Sequence, residues 1–316
     1  MCYMKNFLWI QLNIIKTFRM VMMTEHFGDL LTAMVTPFDE NLEVDYDKCR
    51  ELANYLIENG SDGLVILGTT GEVPTLSKEE KIKILETVVD EVGDQANIVA
   101  GTGSYSTQSS IELTKKAEKI GVDGIMLVGP YYNKPPQEGF YNHFKSVADQ
   151  TSLPVMVYNV PGRTAKNIGV NTIKRLSKID NIIAVKEASG NMNQISEIAR
   201  SVSDDFYVYS GDDNMTLPLL SVGGQGVISV AAHIIGPQIK EMITAFKNGE
   251  NKKAAALNKK LGPIFSGIFI TTNPIPIKAA LNMKGIDVGS LRPPLIDINQ
   301  SEKEILKNIM QDLDII

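Results

Sequence analysis

Eight short apolar runs, each followed by a stretch of helical periodicity, constrain the fold of this chain more than any other feature. The runs are rich in β-branched residues and end in glycine, proline or a small polar residue. They occupy residues 30–35, 63–67, 97–100, 124–128, 154–158, 182–185, 206–209 and 226–230. Continuous rather than alternating apolar runs are typical of parallel strands that are buried on both faces.

The stretches between and after these runs have the periodicity of helices. They occupy residues 45–58, 77–92, 107–120, 137–148, 171–177, 193–202, 214–222 and 237–246, and the second begins with a capping box of Ser77 and Glu80. Eight strand–helix units predict an α/β fold of the (β/α)8 TIM-barrel type. The alternative is an open doubly wound sheet. Such a sheet usually has fewer strands and a glycine-rich phosphate loop after its first strand, where this chain has Thr36-Pro37-Phe38.

The chain continues on both sides of the predicted barrel, which we place at residues 23–246. Residues 251–268, 276–282 and 301–313 have helical periodicity and predict a C-terminal helical region over residues 247–316. Residues 1–22 are weakly amphipathic, and their apolar stretch is interrupted by polar residues without a small-residue cleavage site. We interpret them as an extension from an upstream start, with Met20, Met22 or Met23 as initiator, rather than as a signal peptide.

Charge and composition narrow the classes of partner. The chain has 31 Lys and Arg against 37 Asp and Glu, a formal net charge of −6, so neither nucleic acid nor an anionic membrane is an expected partner. Two cysteines cannot form a disulfide framework, which favours a reducing compartment and a cytoplasmic location. No apolar run reaches the ~20 residues of a membrane helix. The three histidines are far apart, so no metal site is predicted.

Lys186 is the sharpest chemical signal, because it directly follows the sixth apolar run. The carboxyl ends of barrel strands carry the chemistry of this fold, and a confined apolar site lowers the pKa of a lysine. A neutral lysine amine can attack a ketone and form a Schiff base. The alternative is an ion pair between Lys186 and Glu187 or an acidic residue of a neighbouring loop.

Other strand ends carry matching polar groups. Thr69 and Thr70 lie between Gly68 and Gly71 and suit a small carboxylate, although an ordinary tight turn has the same pattern. Tyr158 ends the fifth run, next to Lys186 in a barrel, and its phenol could transfer protons or simply bond a carbonyl. Arg163 could clamp a second carboxylate or lie on the surface. We expect Asp212 and Asp213 to form a turn or cap rather than a cation site.

Three sequence strings, in this order, resemble the pyruvate-dependent class I aldolase family, which includes N-acetylneuraminate lyase. They are Gly68-Thr-Thr-Gly-Glu72, Tyr158-Asn-Val-Pro-Gly-Arg163 and Ile183-Ala-Val-Lys-Glu187. The string Asn273-Pro-Ile-Pro-Ile-Lys278 also matches, and the resemblance extends from about Leu30 to about Leu295. It is nearest to the members that condense pyruvate with L-aspartate 4-semialdehyde on the route to diaminopimelate and lysine. These members usually have serine before the arginine, where this chain has Gly162.

The resemblance implies a role for each residue. Lys186 would form the Schiff base, Thr70 with Thr69 would hold the pyruvate carboxylate, and Arg163 would bind the carboxylate of the semialdehyde. Tyr158 would transfer protons together with the Thr69 hydroxyl and with Tyr132 from a partner subunit. Gly211 and Ile228 would contact substrate through their backbone. The resemblance further implies no metal or organic cofactor and a homo-oligomer, commonly a tetramer built as a dimer of dimers.

Two alternatives and one regulatory expectation accompany this interpretation. Another aldolase, either N-acetylneuraminate lyase or a 2-keto-3-deoxy-sugar-acid aldolase, would share the lysine, the tyrosine and the threonines but would generally lack Arg163. A barrel that only binds a keto acid is the second alternative. Many family members are inhibited by lysine through polar and acidic residues. This chain has Val73, Pro74, Lys78, Tyr105 and Ser109 at those positions, which predicts insensitivity to lysine.

Overall fold

The computed structural model describes residues 26–316, so the predicted extension over residues 1–22 lies outside the described residues. Eight parallel strands, β1 to β8, close into a barrel in sequence order. The strands are Leu30–Ala33, Gly63–Ile66, Asn97–Gly101, Gly124–Val128, Val155–Asn159, Ile182–Glu187, Tyr207–Ser210 and Gly226–Ser229. The predicted (β/α)8 barrel is confirmed, and the open doubly wound sheet is wrong because β1 pairs with both β2 and β8.

Helices surround the barrel and continue after it. Numbered α1 to α12, they are Tyr46–Glu58, Lys78–Val92, Thr107–Ile120, Gln137–Ala148, Pro161–Thr164, Val170–Leu176, Met192–Ala199, Thr216–Ser221, Ala232–Lys247, Asn251–Gly267, Ile275–Met283 and Gln300–Asp312. Helix α2 has the predicted capping box, in which Ser77 and Glu80 bond each other's backbone N–H. Among the described residues, no helix is both long and apolar enough to span a membrane.

The largest departures from the bounds of the predicted helices occur where proline or a cap intervenes. The segment predicted at 214–222 is split into a 3-10 turn, Asp213–Met215, and α8. Helix α9 begins five residues before the predicted start at Pro237, but it is kinked at Ile235, whose φ of −137° is not helical. Proline lacks an N–H and suits the first turn of a helix, so the regular part of α9 begins near Pro237.

The core has two layers, as expected for a filled barrel. An inner cluster of buried side chains fills the interior of the barrel and includes Leu31, Val65, Met126 and Met156. The larger cluster of buried side chains lies between the strands and the surrounding helices. Phe265 of α10 and Leu306 of α12 belong to that larger cluster. The C-terminal helices therefore pack on the same core as the barrel helices, and the division at residues 246 and 247 stays a prediction.

Candidate active site

A cavity of about 410 Å³ opens at the carboxyl ends of the strands. Six of the predicted site residues line it: Thr69, Thr70, Tyr158, Arg163, Lys186 and Gly211. Phe265, Ser266 and Phe269, from the end of α10 and the residues that follow it, also line the cavity. The barrel and the C-terminal region thus enclose one space of a size that suits small organic acids.

Lys186 and Tyr158 face each other on neighbouring strands. They are paired in the register of β5 and β6, and Nζ of Lys186 lies 4.4 Å from the centre of the Tyr158 ring. Burial, with a smaller contribution from the Arg163 charge, lowers the pKa of Lys186 from 10.5 to about 7, although the nearby Asp213 carboxylate opposes the shift. At pH 7 about half of such amines are neutral, against ~0.03% at the ordinary pKa.

Glu187 is not the partner of Lys186. Successive residues of a strand point to opposite faces, and Glu187 accepts hydrogen bonds from Asn159 at 3.0 and 3.1 Å, from the Ser189 N–H at 2.7 Å and from Gln194 at 3.0 Å. Among residues 26–316, no carboxylate lies within ion-pair distance of Lys186. The geometry therefore supports the reactive-amine interpretation over the ion pair.

Tyr158 is buried, and burial raises its pKa although Arg163 and a hydrogen bond with Thr69 act in the opposite direction. The phenol is consequently protonated at neutral pH and can donate a proton. Thr69 lines the same cavity as Tyr158 and Lys186, so the two residues predicted to transfer protons lie together beside the lysine; the proton-transfer role stays a prediction.

The turn that carries Thr69 and Thr70 is held in an unusual conformation. Leu67 and Glu72, on either side of the Gly68–Gly71 string, both have positive φ, at 61° and 53°, a strain that is common at functional sites. The N–H groups of Gly71 and Glu72 bond to Gly68 and Thr69 within the turn. Within the described part of the chain, the N–H groups of Thr69 and Thr70 have no acceptor, and they remain available for an anion.

Buried contacts anchor this turn. The Thr70 hydroxyl accepts a hydrogen bond from Asn273 at 2.9 Å. The Glu72 carboxylate accepts from Lys278 at 2.9 Å and from the Arg292 N–H at 3.0 Å. The side chains of Glu72 and Lys278 are 0% and 1% exposed, so this ion pair is completely buried.

Arg163, at the third position of the short helix α5, also contacts the C-terminal region. Its Nη2 donates to the backbone oxygen of Asn273 at 3.1 Å. Arg163 lines the cavity, which places its guanidinium in the same space as the turn of Thr69 and Thr70. A guanidinium can bind a carboxylate through two parallel hydrogen bonds.

Gly211 leaves room for Lys186. A Cβ atom at Gly211 would lie 2.9 Å from Cε of Lys186 and 2.7 Å from Cβ of Ala188. Contacts below 3.0 Å force a displacement, so any larger residue would move the lysine side chain. This steric reason for glycine adds to the predicted backbone contact with substrate.

Two predicted site residues do not line the cavity. Ile228 is 1% exposed and belongs to the inner core of the barrel. Tyr132 is 92% exposed and has a φ of 68°, while the neighbouring Tyr131 packs edge-on against Tyr105 at 5.3 Å. Tyr132 therefore projects away from its own chain.

Sequence reasoning missed Asp213 and Asn273 as site residues. Asp212 is the predicted cap, accepting from the Asn214 N–H at 3.0 Å. Asp213 instead is buried, accepts from Ser229 and from the N–H groups of Val230 and Ala231 at 3.1 Å, and acts on Lys186. The position of Asp213 after strand β7 was the available signal. Asn273 lies outside the eight strand–helix units, so a search for polar residues at the ends of the strands could not identify it.

The sequence of this chain is similar to those of known proteins. Residues 26–313 match the sequence model of the dihydrodipicolinate synthetase family. A 4-hydroxy-tetrahydrodipicolinate synthase of Desulforamulus reducens is 57% identical over 296 residues, which cover 93% of this chain and 100% of that protein.

Solved structures that resemble this chain are also dihydrodipicolinate synthases. Dihydrodipicolinate synthase of Bacillus anthracis has a TM-score of 0.89 and 51% identity, covering 90% of this chain and 98% of that one. The enzyme of Cyanidioschyzon merolae, solved with lysine bound, has a TM-score of 0.90 and 46% identity, covering 92% and 99%. Sequence and structure therefore agree that this chain belongs to the dihydrodipicolinate synthetase family.

Proposed function

We propose that this chain is a lyase that condenses pyruvate with L-aspartate 4-semialdehyde through a Schiff base on Lys186, giving 4-hydroxy-tetrahydrodipicolinate for diaminopimelate and lysine biosynthesis. The observation that carries the proposal is a buried lysine with a pKa of about 7, unpaired among the described residues and facing a protonated phenol in the cavity at the carboxyl ends of the strands. The names of the relatives supply the product, 4-hydroxy-tetrahydrodipicolinate, and the proposed pair of substrates is the one that the sequence resemblance implies.

The first half of the reaction uses the neutral amine. Lys186 attacks C2 of pyruvate, and Tyr158 with Thr69 moves a proton to the carbinolamine oxygen, which leaves as water and gives the imine. The N–H groups of Thr69 and Thr70 and the hydroxyl group of Thr70 hold the pyruvate carboxylate. Loss of a methyl proton then converts the imine into an enamine.

The second half builds the new carbon–carbon bond. The enamine carbon attacks the aldehyde carbon of the semialdehyde, and the aldehyde oxygen takes up a proton. The amine of the second substrate then attacks the imine carbon, which closes the ring and releases Lys186. Arg163 orients the second substrate through its carboxylate.

The assembly and location form part of the proposal. A tyrosine that is 92% exposed and held at positive φ suits a side chain that completes the site of a second copy. We therefore assign Tyr132 to proton transfer in a partner subunit, within a homo-oligomer of the tetrameric, dimer-of-dimers type. The cytoplasmic location expected from composition belongs to the same proposal.

Trapping with borohydride tests the first half of the reaction. Incubation with pyruvate and borohydride should add one reduced pyruvate adduct to the protein, located at Lys186 by peptide mass analysis. Lys186→Ala should abolish the adduct and nearly all turnover while circular dichroism stays unchanged. An adduct that persists in Lys186→Ala would place the imine elsewhere.

A coupled assay tests the second half. Turnover of pyruvate with L-aspartate 4-semialdehyde, without cleavage of N-acetylneuraminate or 2-keto-3-deoxy-sugar acids, is the expected result. Cleavage of either sugar acid in place of semialdehyde turnover would assign the chain to one of the alternative aldolases. An adduct without any turnover would instead describe a keto-acid binder.

A further inference from the structure

Asn273 lies where the two carboxylate-binding groups of the cavity meet. It lines the cavity, is 6% exposed and belongs to the loop before α11. Its Nδ2 donates to the Thr70 hydroxyl at 2.9 Å, and its backbone oxygen accepts from Arg163 at 3.1 Å. One residue thus contacts both the group assigned to pyruvate and the group assigned to the second substrate.

The direction of the Asn273–Thr70 hydrogen bond matters for pyruvate. A hydroxyl group has one hydrogen to donate and two lone pairs to accept with. Asn273 occupies one lone pair of Thr70, and the described residues offer no other acceptor for the Thr70 hydrogen. That hydrogen is therefore free to point at a carboxylate.

A purely structural role explains Asn273 poorly. Its Oδ1 is buried and has no partner among residues 26–316. A buried polar atom without a partner lowers stability, so an apolar side chain would serve packing better. The one bond that the side chain makes is the bond to Thr70.

We propose that Asn273 is a positioning residue for pyruvate, holding the Thr70 hydroxyl so that its hydrogen faces the substrate carboxylate. The inference rests on the proposed function, because it takes the site of Thr70 as the pyruvate site. Arg163 is held by the backbone oxygen of Asn273. A change of the Asn273 side chain therefore affects the pyruvate half-reaction selectively.

Two variants separate this role from structural damage. Asn273→Ala should lower kcat/KM for pyruvate about tenfold, the effect of one weakened hydrogen bond to a charged group. Asn273→Asp should lower it further, because a carboxylate takes the Thr70 hydrogen and adds a like charge beside the substrate. For both variants kcat/KM for the semialdehyde should stay within about twofold of wild type, since it reports the later half-reaction. An Asp variant equal to wild type would overturn the proposed direction of the bond.

A double-mutant cycle with Thr70→Val tests whether Asn273 acts through Thr70. Asn273→Ala should cause almost no further loss of kcat/KM for pyruvate in the Thr70→Val background. Fully additive losses would overturn the proposal. The matched control is Asn282→Ala on α11, the helix that follows the loop of Asn273; it removes bonds to Gly289 and Val288 and should lower Tm without changing either kcat/KM.

Borohydride trapping distinguishes the two possible failures. If the wild-type protein forms no pyruvate adduct, the proposed function itself is wrong. If wild type forms the adduct and Asn273→Ala forms it at the same pyruvate concentrations, only the role of Asn273 is wrong.

Discussion

Individual residues at the cavity are specialised by their surroundings rather than by their type. Lys186 and Glu187 are adjacent in sequence, yet one faces the interior with a lowered pKa and the other is bonded to Asn159, Ser189 and Gln194 outside the barrel. The alternation of side chains along a strand produces this separation. The sequence predicted correctly that Lys186 lies at the end of a strand, because the end of a strand can be recognised from the end of an apolar run. The contribution of Asp213 depends on a loop conformation that no local pattern specifies.

The lowered pKa of Lys186 predicts a distinct pH dependence for imine formation. The neutral amine reacts, so the trapping rate should rise with pH through about 7 and level off above it, because the folded pKa lies near 7. An ordinary lysine would instead give a rate that rises about tenfold per pH unit up to about 10.4. The measurement is the initial rate of borohydride trapping at about eight pH values between about 5.5 and 9.5, a range that spans the expected titration.

Asp213→Asn is the matched variant for this pH profile. The Asp213 carboxylate favours the ammonium form of Lys186, so its removal should move the midpoint toward lower pH. Asparagine can still accept from the Val230 and Ala231 N–H groups. A midpoint that moves upward would contradict the assigned effect of Asp213.

Arg163 determines the second substrate in the proposed mechanism. Arg163→Ala should leave pyruvate trapping intact, because Thr69, Thr70 and Lys186 are unchanged. It should lower kcat/KM for the semialdehyde by a factor equivalent to ~2–5 kcal/mol, the cost of losing a close charge pair. Near-normal use of the semialdehyde would favour a sugar-acid aldolase.

At the scale of elements, the strands and helices could be predicted from the sequence. The contacts through which distant segments reach the candidate site could not. Helices α3 and α4 coincide with their predicted bounds, since caps and periodicity are local. Helix α5 was missed because the four residues Pro161–Thr164 are too short to show a period. The bonds from Asn273, Lys278 and Arg292 to the turn after β2 join segments that are distant in sequence.

The buried pair of Glu72 and Lys278 ties α11 to that turn, and its two charges should be energetically coupled. Lys278→Met leaves an unpaired buried carboxylate and should lower the free energy of unfolding by ~3–5 kcal/mol. The double variant Glu72→Gln with Lys278→Met should be more stable than Lys278→Met alone, because both charges are gone. Denaturant unfolding measures the difference, and a double variant that is less stable than Lys278→Met would contradict the coupling.

At the scale of the whole molecule, a second cavity of about 410 Å³ is lined in part by Tyr105 and Tyr131. This cavity is lined by all the residues from which we predicted insensitivity to lysine: Val73, Pro74, Lys78, Tyr105 and Ser109. Lys81 and Lys116 line it too, against the single carboxylate of Glu112. The excess of positive charge disfavours an effector that carries two ammonium groups.

We therefore predict that L-lysine does not inhibit this enzyme at physiological concentrations. Two missing charge-assisted bonds, each worth about tenfold to a hundredfold in affinity, should weaken binding beyond that range. Titration of lysine in the coupled assay is the measurement, and half-inhibition below about 1 mM would contradict the prediction. The triple variant Lys78→His, Tyr105→Asn and Ser109→Glu should gain sensitivity.

The bonds that anchor the turn of Thr69 and Thr70 also set an order of events during synthesis of the chain. Thr70 and Asn273 are 203 positions apart, and Glu72 and Arg292 are 220 positions apart. A ribosome delivers all eight strands before either C-terminal partner, and N-terminal parts of a chain generally fold first. A nascent barrel can thus carry Lys186 and Tyr158 while its carboxylate site is still unfinished. Under the proposed mechanism we expect pyruvate uptake only when translation is almost complete, and we expect prematurely terminated chains that form a barrel to be inactive.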